Sequence, residues 1–143
     1  MPANTTHKFV VVLNKKLDAG VAMNAAAHMA ATLAARSSEE EREQMMFIDY
    51  TDGDGAPHPA SGLSLVVLRA DNSNKIRQAK EAAKQANIKH VDFLQSMTGD
   101  SYVEQMARTR ELNAGQIEYY GLCMFGKKTE LDAITGKFSL WRG

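Results

Sequence analysis

The first unbroken apolar run, KFVVVL (8–13), shows no polar alternation, the pattern of a strand covered on both faces. A turn through Leu17–Gly20 follows, and then an Ala-rich segment, about 21–36, predicts a helix lying close against a sheet. SSEEEREQMM carries Ser38 with Glu41 three residues on, a capping-box signature for a short second helix. FIDYTDGDGAPHPASG, with three Gly and two Pro, reads as a loop. LSLVVLRA (63–70) is a second buried strand. From Asn74 to Ala86, the stripe Ile76, Ala79, Ala83 and Ala86 predicts an amphipathic surface helix with its lysines outward. IKHVDFL (88–94) is a third strand, Ser101 with Glu104 offers a capping box for a helix toward Arg110, and QIEYYGLCMFG (116–126) is a fourth strand. Thr129 with Asp132 caps a last short helix, which Gly136 stops. The alternation predicts a three-layer α/β/α sandwich around a four-stranded, mainly parallel sheet, with right-handed crossovers placing helices on both faces.

Composition narrows the class without naming a function. A chain of 143 residues with no repeat or Pro-rich linker suits a single domain over 1–143. Seventeen basic and seventeen acidic side chains balance, which argues against a protein that coats nucleic acid. Cys123 is the only cysteine, so no internal disulfide and no Cys-rich zinc site can form, and within YYGLCMFG it reads as a buried small hydrophobe. MPANTTHKF lacks a hydrophobic signal core and no apolar run approaches spanning length, so a cytoplasmic protein away from membranes is expected. Met45, Met46, Met97 and Met106 are expected in the core or in a homodimer contact.

Candidate chemistry gathers in three places. Asn24 and His28 are four apart on one helix, hence on one face, and no other polar residue interrupts that helix between Gly20 and Thr32. The loop YTDGDGAPHP contributes Asp52, Asp54 and His58, with Ser61 just beyond, and a loop of this length is usually a lid or a site. Asp-x-Asp-Gly lacks the remaining ligands of a calcium loop. His28, His58 and one Asp would supply three ligands to zinc if the fold brought them together, but neither a metal nor a cofactor is expected. Asp92 stands at a strand's carboxyl end, where open α/β sheets place ligands. Lys15 and Lys16, and Lys127 and Lys128, could neutralise a phosphate but read first as solvated surface, while His7 and His90 look incidental.

LSLVVLRADNSNKIRQAKEAAKQANIKHVD and GLCMFGKKTELDAITGKFSLW resemble the second half of the type-two peptidyl-tRNA hydrolases, and the VVV strand, Gly turn and His-bearing helix fit the first half. That resemblance implies an antiparallel fourth strand. The departures carry as much information. Where the family has a Lys after the first-turn Gly, Gly20 is followed by Val21, and the family's helical Gln corresponds to Ala25. Asp92 matches the family's Asp, but DFLQSM replaces the small D-A-G turn, and Thr109 is a loose counterpart of its Thr. The chain is thus most similar to an uncharacterised branch of that fold, domains of unknown function carrying L-x-A-G-x-(x)2-N-(x)3-H and a D-G-(x)n-H-P loop.

The expected function is binding or hydrolysis of a small molecule at the strand carboxyl ends, around Gly20, Asn24, His28, the 52–61 loop and Asp92. In a hydrolase, His28 or His58 would be the base and Asp92 the orienting carboxylate. Cleavage of peptidyl-tRNA is disfavoured, because Val21 and a balanced charge offer few cations to an RNA substrate. A non-catalytic dimeric regulator or scaffold is the third class, and would fill the pocket with its own side chains.

Overall fold

The computed structural model describes residues 6–142. Its elements are β1 (His7–Asn14), α1 (Ala19–Arg36), α2 (Glu39–Gln44), β2 (Phe47–Thr51), β3 (Pro57–Ser61), β4 (Leu65–Ala70), α3 (Ser73–Gln85), β5 (Lys89–Leu94), α4 (Tyr102–Arg110), β6 (Tyr119–Lys127), α5 (Lys128–Thr135) and β7 (Ser139–Leu140). Five strands make one mixed sheet in the order β5-β6-β1-β4-β7, and β2 and β3 form a separate hairpin. β1 and β4 are parallel neighbours; β6 runs antiparallel to both β1 and β5, and β7 antiparallel to β4.

Strict alternation along β1 divides the core. Val10 and Val12 face Leu68, Ile76, Ala83, Leu122, Met124 and Leu131, the layer built by α3 and α5. Phe9, Val11 and Leu13 face Ala22, Ala25, Met29 and Leu33 of α1, together with Phe93, Cys123 and Phe125. Both faces of β1 are therefore apolar, the physical basis of the unbroken VVV run. The small residues of α1 let it approach the sheet at Gly121. A Cβ added there would sit 2.6 Å from Met29 Cε and 3.1 Å from the Val12 carbonyl oxygen.

Several expectations change. The sheet has five strands rather than four, because Ser139–Leu140 returns alongside β4, pairing Leu68 with Leu140 and Arg69 with Ser139. It is a mixed sheet, as an antiparallel fourth strand requires, with β1 and β4 its parallel neighbours and β6 antiparallel to β1. The segment read as a loop is a hairpin with Tyr50 opposite His58 and Asp49 opposite Pro59. The flanking bonds, Asp52 N–H to Ala56 O at 2.9 Å and Gly62 N–H to Met46 O at 2.8 Å, put the even-numbered residues of β3 at bonding positions. Pro57 and Pro59 then fall where no N–H enters the ladder, which is how two prolines share one strand.

Ser38 forms its capping box with Glu41 as expected. Ser101 does not: its hydroxyl donates to Glu104 Oε1 at 3.0 Å and caps no backbone group. Thr129 lies inside α5, whose N-cap is Lys127, and the side chain capping α3 is Asn72. Met45 is fully buried, whereas Met106 is exposed.

Candidate functional site

β1 and β5 point the same way with β6 between them, so the turn after β1 and the segment after β5 emerge at the same end of the sheet. On the α1 face they enclose a groove of about 530 Å³. Gly20, Val21, Asn24 and His28 of α1 form one wall; Met97, Thr98 and Gly99 after β5, with Gln105 of α4, form the other, and Tyr120 closes the end. Asn24 and His28 stack one turn apart, as the i, i+4 spacing requires. Among the described residues neither side chain makes a hydrogen bond. The imidazole rests on the Phe93 ring with centroids 5.5 Å apart. Among the described residues no Lys, Arg, Asp or Glu lines the groove, so its polarity comes from imidazole, amide, hydroxyl and phenol groups.

Two features that sequence reading missed shape this groove. The β5–β6 register passes from Phe93 opposite Gly121 to Leu94 opposite Tyr119, leaving Tyr120 as an extra residue. Such a bulge re-aims a side chain, and this one delivers the Tyr120 side chain to the groove. The loop over 96–100 is then tied down by α4. Arg108 Nη2 donates to the carbonyls of Ser96 at 3.1 Å and Thr98 at 2.9 Å, and also to Asp100 Oδ1 at 3.1 Å. Gln105 Nε2 donates to the carbonyls of Gly99 at 3.0 Å and Asp100 at 3.1 Å. Arg108 holds the Asp100 carboxyl below its ordinary value. Gly99, at φ +87°, supplies the left-handed turn that only glycine adopts freely. Its position in SMTGD was the one signal the sequence offered.

The remaining candidates lie elsewhere. Asp92 is on the opposite face of β5 from Phe93, and so opposite His28. Its Oδ2 accepts from Lys80 Nζ at 2.6 Å, and the ammonium also stands 5.4 Å above the Tyr119 ring. Partial burial works against the Lys80 charge, but the hydrogen bond and charge of Asp92 outweigh it and hold the ammonium above its ordinary value. Alternation along β5 thus keeps Asp92 from orienting His28.

His58 meets Asp52 in the exposed hairpin, Nε2 to Oδ2 at 2.8 Å. That bond, with the Ala56 and Asp54 N–H groups on the same carboxylate, lowers the Asp52 value. Asp54 contributes its backbone N–H to this turn. Ser61 Oγ donates to the Met45 carbonyl at 2.5 Å and lines a different, apolar cavity with Phe9, Ala30 and Phe47. Among the described residues no three His, Cys, Asp or Glu groups gather to hold a metal, so His28, His58 and an Asp do not form the three-ligand set. Burial pushes the Cys123 thiol up to about 12, the chemistry of a packed side chain rather than a nucleophile.

A family model described as "Protein of unknown function (DUF2000)" matches residues 7–142. No curated protein matches the chain. Among solved structures, that of the protein of unknown function Atu0240 from Agrobacterium tumefaciens strain C58 is similar in fold, with a TM-score of 0.77 at 18% identity over 96% of this chain and 98% of that one.

Proposed function

The chain belongs to the DUF2000 family, and from that premise we propose that the groove over the first half of α1 is a binding site for a small, uncharged polar molecule. The observation that carries this reading is the pair Asn24 and His28, two polar side chains with no protein partner among the described residues, one turn apart in a stretch of helix otherwise apolar from Gly20 to Ala31. Such groups on a concave surface with apolar neighbours are the usual furniture of a small-ligand site. An amide and an imidazole together offer donors and acceptors to a carbonyl or amide ligand. Binding rather than hydrolysis is the preferred form, since His28 has neither a carboxylate to orient it nor an adjacent nucleophile.

The finer likeness to the type-two peptidyl-tRNA hydrolases rests on the sequence patterns, and cleavage of the peptide–tRNA ester is the rival reading at the same groove. A lining without lysine or arginine weighs against it. The test is a thermal-shift screen of small uncharged amides and esters on the wild type, Asn24→Ala and His28→Ala. A ligand that raises Tm in the wild type and in neither variant is the expected result. Turnover of peptidyl-tRNA at catalytic protein concentrations, abolished in His28→Ala, would replace this reading with the rival one.

A further inference from the structure

β1 and β4 are adjacent and parallel, yet the chain leaves β1 for α1 on one face and leaves β4 for α3 on the other. Two neighbouring strands whose connections part in this way open a crevice at their carboxyl ends, where α/β sheets take ligands. A cavity of about 530 Å³ lies there, between α3 and the α5–β7 segment, away from the His28 groove. Lys15, Lys75 and Lys137 line it, Arg69 borders it from β4 with its side chain on the other face, and Asp71 is the one carboxylate among the described residues. Asp71 is paired to Lys15 at 3.2 Å. Among the described residues Arg69, Lys75 and Lys137 have no carboxylate within ion-pair distance. Two uncompensated lysines, Lys75 and Lys137, thus border one concavity in a chain whose charges otherwise balance. The floor differs in kind: Ile134 and Phe138 are partly buried apolar side chains.

From these observations we propose that this crevice is a second site, one that binds a small molecule joining a phosphate group to an apolar or ring portion. The phosphate meets Lys75 and Lys137. The ring lies on Ile134 and Phe138. The start of α3, immediately beyond Asp71 and Asn72, adds the positive end of its dipole to the same region.

The experiment titrates isotopically labelled protein with phenyl phosphate and, separately, with inorganic phosphate at matched ionic strength, following backbone amide resonances. Saturable shifts at Lys75, Gln78, Phe138 and Ser139 are expected, with phenyl phosphate binding roughly fivefold tighter than phosphate through its ring. Lys75→Gln and Lys137→Gln should each weaken binding by roughly fivefold to tenfold, while Lys16→Gln, outside the lining, leaves it unchanged. Unchanged Tm and circular dichroism certify that the variants are folded. Shifts that grow linearly without saturating, that centre on Lys127 and Lys128, or that persist in both crevice variants would overturn the proposal. Because Asn24 and His28 lie outside this cavity, failure here leaves the groove reading standing, and the reverse also holds.

Discussion

His28 and Asp92 stand on opposite sides of β5: the imidazole packs on Phe93, 5.5 Å between centroids and tilted by 35°, while the carboxylate one residue earlier bonds Lys80 at 2.6 Å. One step along a strand is a change of face, so Asp92 serves the α3 layer.

Asp92→Asn is accordingly expected to cost stability and spare the groove. Removing the carboxylate leaves a half-buried ammonium without its counter-charge, a loss of about 1–3 kcal/mol. The folded Lys80 value is raised, so the pair's contribution is complete below the ordinary lysine value of 10.5 and disappears as pH climbs through the raised one. Urea unfolding of wild type and Asp92→Asn should therefore differ at pH 7 and converge in strong alkali. A constant gap across that range would show that the charge on Lys80 is not what the pair contributes.

Arg108→Ala is expected to act in the opposite sense. The guanidinium is exposed, so its removal should leave global stability little changed. It nevertheless ties down the carbonyls of Ser96 and Thr98 and the carboxylate of Asp100. Faster hydrogen exchange over residues 96–100, with weaker binding of any ligand found in the groove, is the expected outcome. Exchange unchanged from wild type would mean that Gln105 alone positions the loop.

At Gly121 the contact is steric. An added methyl meets the end of Met29, which can bend away, and the Val12 carbonyl oxygen at 3.1 Å, which cannot. Gly121→Ala should cost about 1–3 kcal/mol, the usual range for overpacking. Because Met29 follows His28 on α1 and its side chain must move to make room, the Asn24 and His28 resonances should shift in its NMR spectrum. Equal stability to wild type would show that α1 rides loosely on the sheet.

Cys123 provides a probe of opening. With its thiol pushed up to about 12 and its side chain fully buried, it should resist a thiol reagent at pH 8 in the native protein and react at once in denaturant. Rapid native labelling would mean that the α1 layer separates from the sheet on the reagent's timescale.

What the sequence made legible follows the physics of each element. β1 announced itself as an unbroken apolar run because both its faces are covered, β4 and β6 by their β-forming residues although Leu65 and Arg69 of β4 are exposed, and α3 because Ile76, Ala79 and Ala83 keep helical spacing. The hairpin was hidden by Pro57 and Pro59, which argue against a strand unless the register happens to spare their missing N–H groups. β7 was hidden by its length, two residues with no periodicity to detect. For the site, helical spacing joins Asn24 to His28, and Gly20, expected in a turn, is a first-turn residue of α1 four places before Asn24. Asp92 was drawn in because a strand's end is visible in sequence while the side on which a ligand lies is not. Tyr120, Thr98 and Gln105 come to the groove through a bulge, a turn and an exposed helix, none of which leaves a spacing rule behind.

The extra residue in β6 gives the groove an independent lever. Tyr120 lies between two ladder positions and faces no cross-strand neighbour of its own, so another side chain there would resurface one end of the recess without asking the sheet to re-pair. Members of this fold could thereby change the lining of this recess by exchanging a single amino acid, with the strand register left intact.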